Sequence, residues 1–254
     1  MSAALRGSVR WRMALRANLL QSTWNYERQQ GIGWVYALQP ALAALYPDAA
    51  TRRARAVEHA AFFNTQPTLA SLALGVAAKL EEERAAGGGP DEAGMARVKA
   101  ALGSTLAALG DRLFWFSLRP FAAALGVLVA LARPDAPWGA LVLWLVYASV
   151  HLGARFAGVG WGYARGPAVL GGRLRLWLET AVTVLAYGGC IVVGVLVAYA
   201  LAPAGESRPI AVESALAGGL GLGLLTAQRA RPSPTQWALG LGALTLLAAW
   251  LRQA

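Results

Sequence analysis

The uneven distribution of acidic residues is the feature that most constrains how this chain folds. Of the 13 acidic residues among 254, only four lie after residue 112, and long apolar runs follow one another there. A carboxylate is costly to place in hydrocarbon, and a helix needs about 20 apolar residues to cross a core of about 30 Å. The second half of the chain is therefore predicted to lie within a membrane.

Five apolar stretches are candidate spans. They cover about residues 113–132, 138–157, 177–202, 210–227 and 235–251. Basic and neutral loops alternate between them, so the positive-inside rule predicts that the basic loops and the N-terminal part are cytoplasmic. Two glycine pairs, Gly158 with Gly162 and Gly219 with Gly223, have the spacing that allows close helix packing in lipid. A glycine-rich chain also produces such pairs by chance.

The first 112 residues differ in composition, and we treat 1–112 as a region separate from the transmembrane region 113–254. Trp11, Leu15 and Leu19 recur at helical spacing among arginines, which is typical of an amphipathic helix at a membrane interface. A second apolar stripe ends in "KLEEER", ahead of a glycine-rich segment with the composition of a flexible linker. The predicted fold class is an all-α polytopic membrane protein, in which an amphipathic or re-entrant helical half precedes about five transmembrane helices.

The composition also argues against several functions. The net charge of +10 is spread between apolar runs instead of forming a patch, so nucleic acid is not an expected partner. A single cysteine, Cys190, and two histidines give no disulfide and no metal-ligand spacing, and no phosphate-binding glycine loop is present. The first 30 residues lack the apolar core of a secretory signal peptide. We expect no catalytic residues, no cofactor and no metal.

Three polar motifs interrupt these apolar surroundings. They are "WNYERQQGIGW" (24–34), "HAAFFNTQP" (59–67) and "GDRLFWFSLRP" (110–120). In the second motif, Pro67 disfavours helix at the residue before it. Asn64, Thr65 and Gln66 therefore stand at a helix break, where neutral donors and acceptors suit a polyhydroxy ligand. The alternative is helix capping, with Thr65 or Thr68 starting the next helix.

The third motif places an acid after Gly110 and Arg119 before Pro120. Insertion of an arginine at the bilayer centre costs about 2.5–3.5 kcal/mol, so Arg119 is expected to face protein or a watery cavity and to have a partner. Asp111 lies about 12 Å away along a straight helix, which is too far for direct pairing. Either Pro120 kinks the helix or another acid serves, unless Arg119 extends to the membrane interface.

Taken together, the motifs resemble the IID membrane subunit of the mannose/fructose/sorbose-family sugar phosphotransferase system. The resemblance rests on "LLQSTWNYERQQGIG", on "FFNTQP" followed by "LALGVAAKLEEE", and on "LGDRLFWFSLRP", in the same order and at similar spacing. It implies a subunit of the bacterial cytoplasmic (inner) membrane that pairs with a IIC subunit, in a higher oligomer of such pairs, to import a hexose or related sugar. Soluble IIA and IIB subunits phosphorylate that sugar, so IID itself holds no phosphorylated residue.

The resemblance also implies where the sugar binds. The polar segments of IIC and IID are expected to enclose it near the middle of the membrane, with Trp24 and Tyr26 anchoring the first motif among lipid headgroups. The substrate-binding residues predicted on this basis are Asn64, Thr65, Gln66, Glu27, Asp111 and Arg119.

Four positions depart from the family's pattern. Ala61 stands where Glu is usual and Gln66 where His is usual. Charge-assisted hydrogen bonds are the stronger kind, so a missing carboxylate bears on sugar affinity, although Glu58 shares a helical face with Ala61 and is a candidate substitute. Arg112 and Phe116 add bulk where small residues are usual. The departures leave open an alternative, a regulatory or scaffold relative that keeps the fold but has lost efficient transport.

Overall fold

The structure, a computed structural model, describes residues 4–171 and 173–201, and within them it is helical without a β-strand. The α-helices are α1 (Gly7–Ala17), α2 (Gly31–Leu45), α3 (Ala49–His59), α4 (Ala70–Ala85), α5 (Glu92–Gly110), α6 (Arg119–Ala132), α7 (Trp138–Arg165) and α8 (Arg173–Leu201). A π-helical segment, Asp111–Leu118, joins α5 to α6, and a 3₁₀ helix, Gly166–Leu170, follows α7. The predicted spans 210–227 and 235–251, and the pair Gly219 with Gly223, lie outside the described residues.

Three continuous helical stretches among these residues are long and apolar enough to cross a membrane, which confirms the all-α membrane class. They are Glu92–Ala132, Trp138–Val169 and Arg173–Leu196. The first contains the predicted span 113–132 but begins at Glu92, because α5, the π-helical segment and α6 form one uninterrupted helix. Lys99 therefore lies inside this helix. The helix also runs through position 112, and the boundary between the two predicted regions stays a prediction.

The π-helical segment occupies most of the third polar motif. Ser117 Oγ donates to the carbonyl of Arg112, five residues earlier, at 2.8 Å, and this reach matches the wider π-helical turn. Pro120 lacks an amide proton and follows the segment directly. In a regular α-helix its ring would press against a carbonyl one turn earlier. The wider turns before Pro120 give it room, so the long helix continues through the proline.

Helices α4 and α7 approach each other closely through glycines on both sides. Gly158 and Gly162 on α7 lie against Ser71 and Leu72 on α4, and Gly75 on α4 lies against the backbone of α7. A Cβ atom at any of the three glycines would overlap atoms of the facing helix. The predicted packing role of the Gly158 and Gly162 pair is therefore confirmed.

The apolar face of α1 remains largely open. Trp11 and Leu15 are 53% and 47% exposed, whereas Met13 on the opposite face is fully buried. Leu19, predicted to continue this face, lies two residues past the end of α1 and is 51% exposed. Trp11 stacks on Phe156 of α7 with ring centroids 5.2 Å apart. The open face, flanked by arginines, is the arrangement that the predicted interfacial helix requires.

Candidate functional site

The first two polar motifs lie side by side. The amide N–H of Gln30 donates to the carbonyl of Phe63 at 2.8 Å, and that of Phe63 donates to the carbonyl of Arg28 at 3.3 Å. The buried Gln30 carboxamide donates to the carbonyl of Thr65 at 2.7 Å and accepts from the Thr65 N–H at 3.0 Å. The non-helical backbone before Pro67 is thus fixed by the first motif, which satisfies its polar groups.

The first motif is itself held by a local turn. Asn25 Oδ1 accepts hydrogen bonds from the backbone N–H groups of Glu27 and Arg28 at 3.1 and 2.8 Å, as in an Asx turn. Gln29 adopts a φ of 52° in the left-handed region. The side chain of Glu27 is 82% exposed and lies 3.6 Å from the Nε of Arg28. Glu27 therefore points away from the second motif, and its predicted contact with sugar stays a prediction.

The second motif uses its three polar side chains in different ways. Gln66 Oε1 accepts from the N–H groups of Thr68 and Leu69 at 2.7 and 3.0 Å, so Gln66 caps the turn that opens α4. Capping is therefore present, but Gln66 provides it in place of Thr65 or Thr68. Thr65 Oγ1 donates to the carbonyl of Gly103 at 2.9 Å. The exposed side chain of Asn64 makes no hydrogen bond with any other residue that the structure describes.

Asn64 lines a half-open cavity of about 420 Å³. One wall is the segment from residue 58 to residue 64, with Phe62 and Phe63, and the other is a face of α5. The polar or charged side chains in the lining are those of Glu58, Asn64, Glu92, Lys99 and Ser104. A cavity of this size, mostly apolar with a few polar groups, is typical of a small-molecule site.

Glu58 and Ala61 line the same cavity, but α3 ends at His59, so Ala61 lies outside the helix and the predicted shared helical face is wrong. The Glu58 carboxylate is already paired, since it lies 2.6 Å from an Arg55 nitrogen and 2.8 Å from an Arg84 nitrogen. Lys99 Nζ donates to the carbonyl of His59 at 3.0 Å. The base of the cavity therefore carries fixed charges of both signs.

His59 is the last residue of α3 and the first residue of the second motif. Its fully buried ring accepts at Nδ1 from the indole N–H of Trp34 at 3.3 Å, and its Nε2 lies 3.1 Å from Glu81 Oε1. Because an indole N–H can only donate, Nδ1 must accept, and His59 is neutral with its proton on Nε2. Burial lowers the pKa of His59. Burial opposes ionisation of Glu81, but hydrogen bonds from His59 and Tyr46 outweigh it and hold the Glu81 pKa below its usual range.

The third motif contacts the second through Gly110, whose missing side chain leaves room for Gln66. Asp111 is half-buried and Arg119 is exposed, with its guanidinium 5.0 Å above the Trp115 ring. Within residues 4–171 and 173–201, no ion pair joins Asp111 to Arg119, and neither residue lines the cavity. The structure therefore supplies Arg119 with an aromatic ring in place of a carboxylate, and the predicted sugar contacts of both residues stay predictions.

Sequence reasoning missed two residues of this site. Lys99 gave a weak signal, a single lysine in the otherwise apolar stretch "VKAALG". Gln30 gave none beyond its place in the first motif, because its partner Thr65 lies 35 residues away along the chain. Among the residues with described positions, no group of three or more metal-binding side chains comes together.

Comparison with known proteins places these motifs in a family. Residues 4–203 match the family described as PTS system mannose/fructose/sorbose family IID component. The mannose-specific EIID component of Escherichia coli (strain K12) is 37% identical over 187 residues, which are 72% of this chain and 64% of that relative. The fructose permease IID component of Bacillus subtilis (strain 168) is 33% identical over 243 residues, which are 94% of this chain and 85% of the relative. The sorbose-specific EIID component of Klebsiella pneumoniae is 36% identical over 188 residues, covering 73% of this chain and 67% of that one.

Two solved structures share the fold. The cryo-EM structure of the mannose transporter ManYZ in complex with microcin E492 matches with a TM-score of 0.61 at 28% identity, over 97% of each chain. A second, described as a membrane protein, matches with a TM-score of 0.68 at 29% identity, over 98% of each chain. The match to the E. coli mannose-specific relative spans 64% of that relative's length. With the motif order, the family match and the shared fold in agreement, the chain belongs to the IID components of the mannose/fructose/sorbose family of the phosphotransferase system.

Proposed function

We propose that this chain is the IID membrane subunit of a sugar importer, and that it forms the sugar-binding and translocation unit together with a IIC subunit. In this proposal the sugar is a hexose or a related compound, and uptake is coupled to phosphorylation by IIB. The observation that carries the proposal is the position of the Asn64 amide. Hydrogen bonds from Gln30 and to Gly103 fix the helix break around it, yet the amide itself lies at a cavity and has no hydrogen-bond partner among the described residues.

The cavity suits a neutral sugar. The Asn64 amide offers two donors and one acceptor oxygen, and Ser104 adds a hydroxyl. Phe62 and Phe63 provide apolar surface for the C–H groups of a sugar ring. The open side of the cavity is where a IIC subunit would complete the enclosure and exclude water.

The other predicted site residues take separate roles in this proposal. Thr65 and Gln66 position Asn64, because their polar groups are already hydrogen-bonded within the chain. Glu27, Asp111 and Arg119 lie off the cavity and are proposed to contact IIC, the remainder of the sugar pathway or the docked IIB. IID contributes no phosphorylated or catalytic residue, and IIA and IIB supply the phosphoryl group. The complex is a higher oligomer of IIC–IID pairs, embedded in lipid of the bacterial inner membrane.

The departures from the family pattern are compatible with transport. Arg112 and Phe116 do not line the cavity, so their bulk does not fill it, and Ala61 leaves space where a longer side chain is usual. The alternative of a regulatory or scaffold relative has no support among the relatives named above, which are named as components of sugar phosphotransferase systems or as a permease component.

Sugar-dependent phosphate transfer tests the proposal. Membranes containing this chain and its cognate IIC, supplied with phosphorylated IIB, are incubated with a panel of hexoses that includes mannose, fructose and sorbose. Phosphorylation of at least one sugar is expected only when both membrane subunits are present. An assembled complex that phosphorylates none of them, in an assay where the E. coli mannose system is active, would contradict the proposal.

A further inference from the structure

His151 is a polar side chain near the middle of α7, a helix long and apolar enough to cross a membrane. Ionisable residues at this depth are rare and usually serve a function with a specific partner. The sugar contacts proposed above do not involve His151, since it does not line the cavity. Its contacts show what it does.

A directional chain of hydrogen bonds joins His151 to the second polar motif. Gln66 Nε2 lies 3.3 Å from Thr68 Oγ1, and Thr68 Oγ1 lies 2.8 Å from His151 Nδ1. An amide nitrogen only donates, so Thr68 accepts from Gln66. In the His151 tautomer with its proton on Nε2, Nδ1 accepts the Thr68 hydroxyl proton, and the chain runs from Gln66 through Thr68 to His151.

Aromatic rings hold the imidazole in place. Tyr147, one turn earlier on α7, stacks on it with centroids 5.4 Å apart and an interplanar angle of 17°. Phe114, from the π-helical segment, meets it edge-on at 6.2 Å and 84°. His151 thus contacts the second motif through a hydrogen bond and the third motif through the Phe114 ring. It lies on α7, whose glycines Gly158 and Gly162 pack closely against α4.

We propose that His151 is a positioning residue for the sugar site, acting through Thr68 and Gln66. This inference rests on the proposed function. The Gln66 carboxamide caps the turn before α4 through its oxygen while its nitrogen is held by Thr68. With Nδ1 removed, the Thr68 hydroxyl loses its partner on α7, and the nitrogen of the Gln66 carboxamide is held less firmly, two residues from Asn64. Binding groups must be held to within a fraction of an ångström to act together, so looser geometry at the break weakens sugar binding without removing any contact to the sugar.

Paired substitutions test the chain of hydrogen bonds. His151→Phe keeps a ring but removes the acceptor, whereas His151→Asn can place its amide oxygen where Nδ1 lies. Thr68→Val removes the same hydrogen bond from the other end. Loss of one hydrogen bond of about 1 kcal/mol corresponds to a rise in the KM for sugar of about fivefold. We expect that rise for His151→Phe and Thr68→Val, a KM within about twofold of wild type for His151→Asn, and a double variant no worse than either single one.

Ser149→Ala is the matched control, because this exposed serine on the same helix bonds only to a carbonyl of its own helix in the described structure. The inference is overturned if His151→Phe leaves the KM unchanged in a complex of normal abundance. It is also overturned if His151→Asn is as impaired as His151→Phe, or if the two substitutions add. Should His151→Phe fail to assemble, the KM of Thr68→Val tests the inference instead, and an unchanged KM then refutes it.

Failure of the proposed function gives a different result, because the wild-type complex would then phosphorylate no sugar. In that case hydrogen exchange decides: faster exchange of the Thr68 and Leu69 amides in His151→Phe supports the inference, and unchanged exchange refutes it.

Discussion

Asn64 and Gln66 stand two residues apart, and the structure uses their amides in opposite ways. Gln66 caps the start of α4, whereas the Asn64 amide lies at the cavity and bonds to no other side chain or backbone group in the described part of the chain. Asn64→Ala should therefore leave sugar hydroxyls unpaired and weaken sugar affinity by about 1–3 kcal/mol, or roughly fivefold to more than a hundredfold. The melting temperature of the Asn64→Ala complex should equal that of the wild type. Gln66→Ala is the comparison variant, expected to lower stability by about 1 kcal/mol through loss of a cap and to affect sugar binding only through looser geometry at the helix break. Sugar binding and thermal unfolding of the purified IIC–IID complex measure both effects, and lowered stability with unchanged sugar affinity for Asn64→Ala would assign it a structural role.

The buried pair of His59 and Glu81 gives stability a pH dependence of defined sign. Burial lowers the pKa of His59 from its ordinary 6.5, so below that pH the unfolded chain binds a proton that the folded chain does not. Stability should therefore fall as the pH is lowered from about 7.5 to 5.5. Glu81, with its pKa held below the ordinary 4.5, contributes stability that is present above 4.5 and lost only as the pH falls further, through its folded pKa. Melting temperatures across this range test the expectation, with His59→Gln as the variant that should show a flatter profile. A wild-type stability that rises on acidification would contradict it.

At the scale of elements, the seam between α4 and α7 depends on the absence of side chains. A Cβ atom at Gly162 would overlap the backbone of Leu72, whereas one at Gly160 would meet nothing within 4 Å. Gly162→Ala should therefore destabilise the protein by about 1–3 kcal/mol, as overpacking does, and Gly160→Ala should be neutral or slightly stabilising. The two positions lie on one helix two residues apart, so helix propensity is matched and the contact with α4 is the main difference between them. Equal melting temperatures for the two variants would show that the seam tolerates a methyl group.

The turn between α6 and α7 gives a test of membrane orientation. Gly126 on α6 and Gly139 on α7 lie against each other, so the two helices form a close hairpin whose turn is residues 133–137. The basic residues after α7 predict that its C-terminal end is cytoplasmic. A reporter fused after residue 135 should then be external and one after residue 168 cytoplasmic. The opposite labelling at both positions would contradict the assignment based on loop charge.

Hydropathy predicted the helical class and two of the three long apolar helices, but not where the first begins. Lys99 and Arg97 interrupt the apolar pattern of α5, and only the fold shows that Lys99 is buried, with its ammonium 5.3 Å from the Trp34 ring. The motif order predicted Asn64 as a site residue. It did not predict Gln30 or His151 as the residues that hold the break, because their partners lie 35 and 83 residues away along the chain. Local sequence patterns predict helices and exposed polar side chains. The residues that hold a site in place cannot be predicted in this way, because they depend on contacts between segments that are distant along the chain.

At the scale of the whole molecule, the surface of the chain supports the proposal that it functions together with a IIC subunit. The cavity is open on one side, and the third motif exposes Phe116 by 77% and Trp115 by 44% beside Arg119. An arginine at membrane depth requires a polar or protein environment, and the described part of the chain offers it a single aromatic ring.

We therefore expect the chain expressed alone to aggregate or be degraded. Co-expressed with its IIC subunit it should purify as a stoichiometric complex, as judged by size-exclusion chromatography and subunit staining. Co-expression with an unrelated polytopic membrane protein is the control, since it supplies lipid-facing helices without a matching surface. A monodisperse protein obtained without any partner would contradict the expectation, because an open cavity and an exposed arginine would then be stable in the isolated subunit.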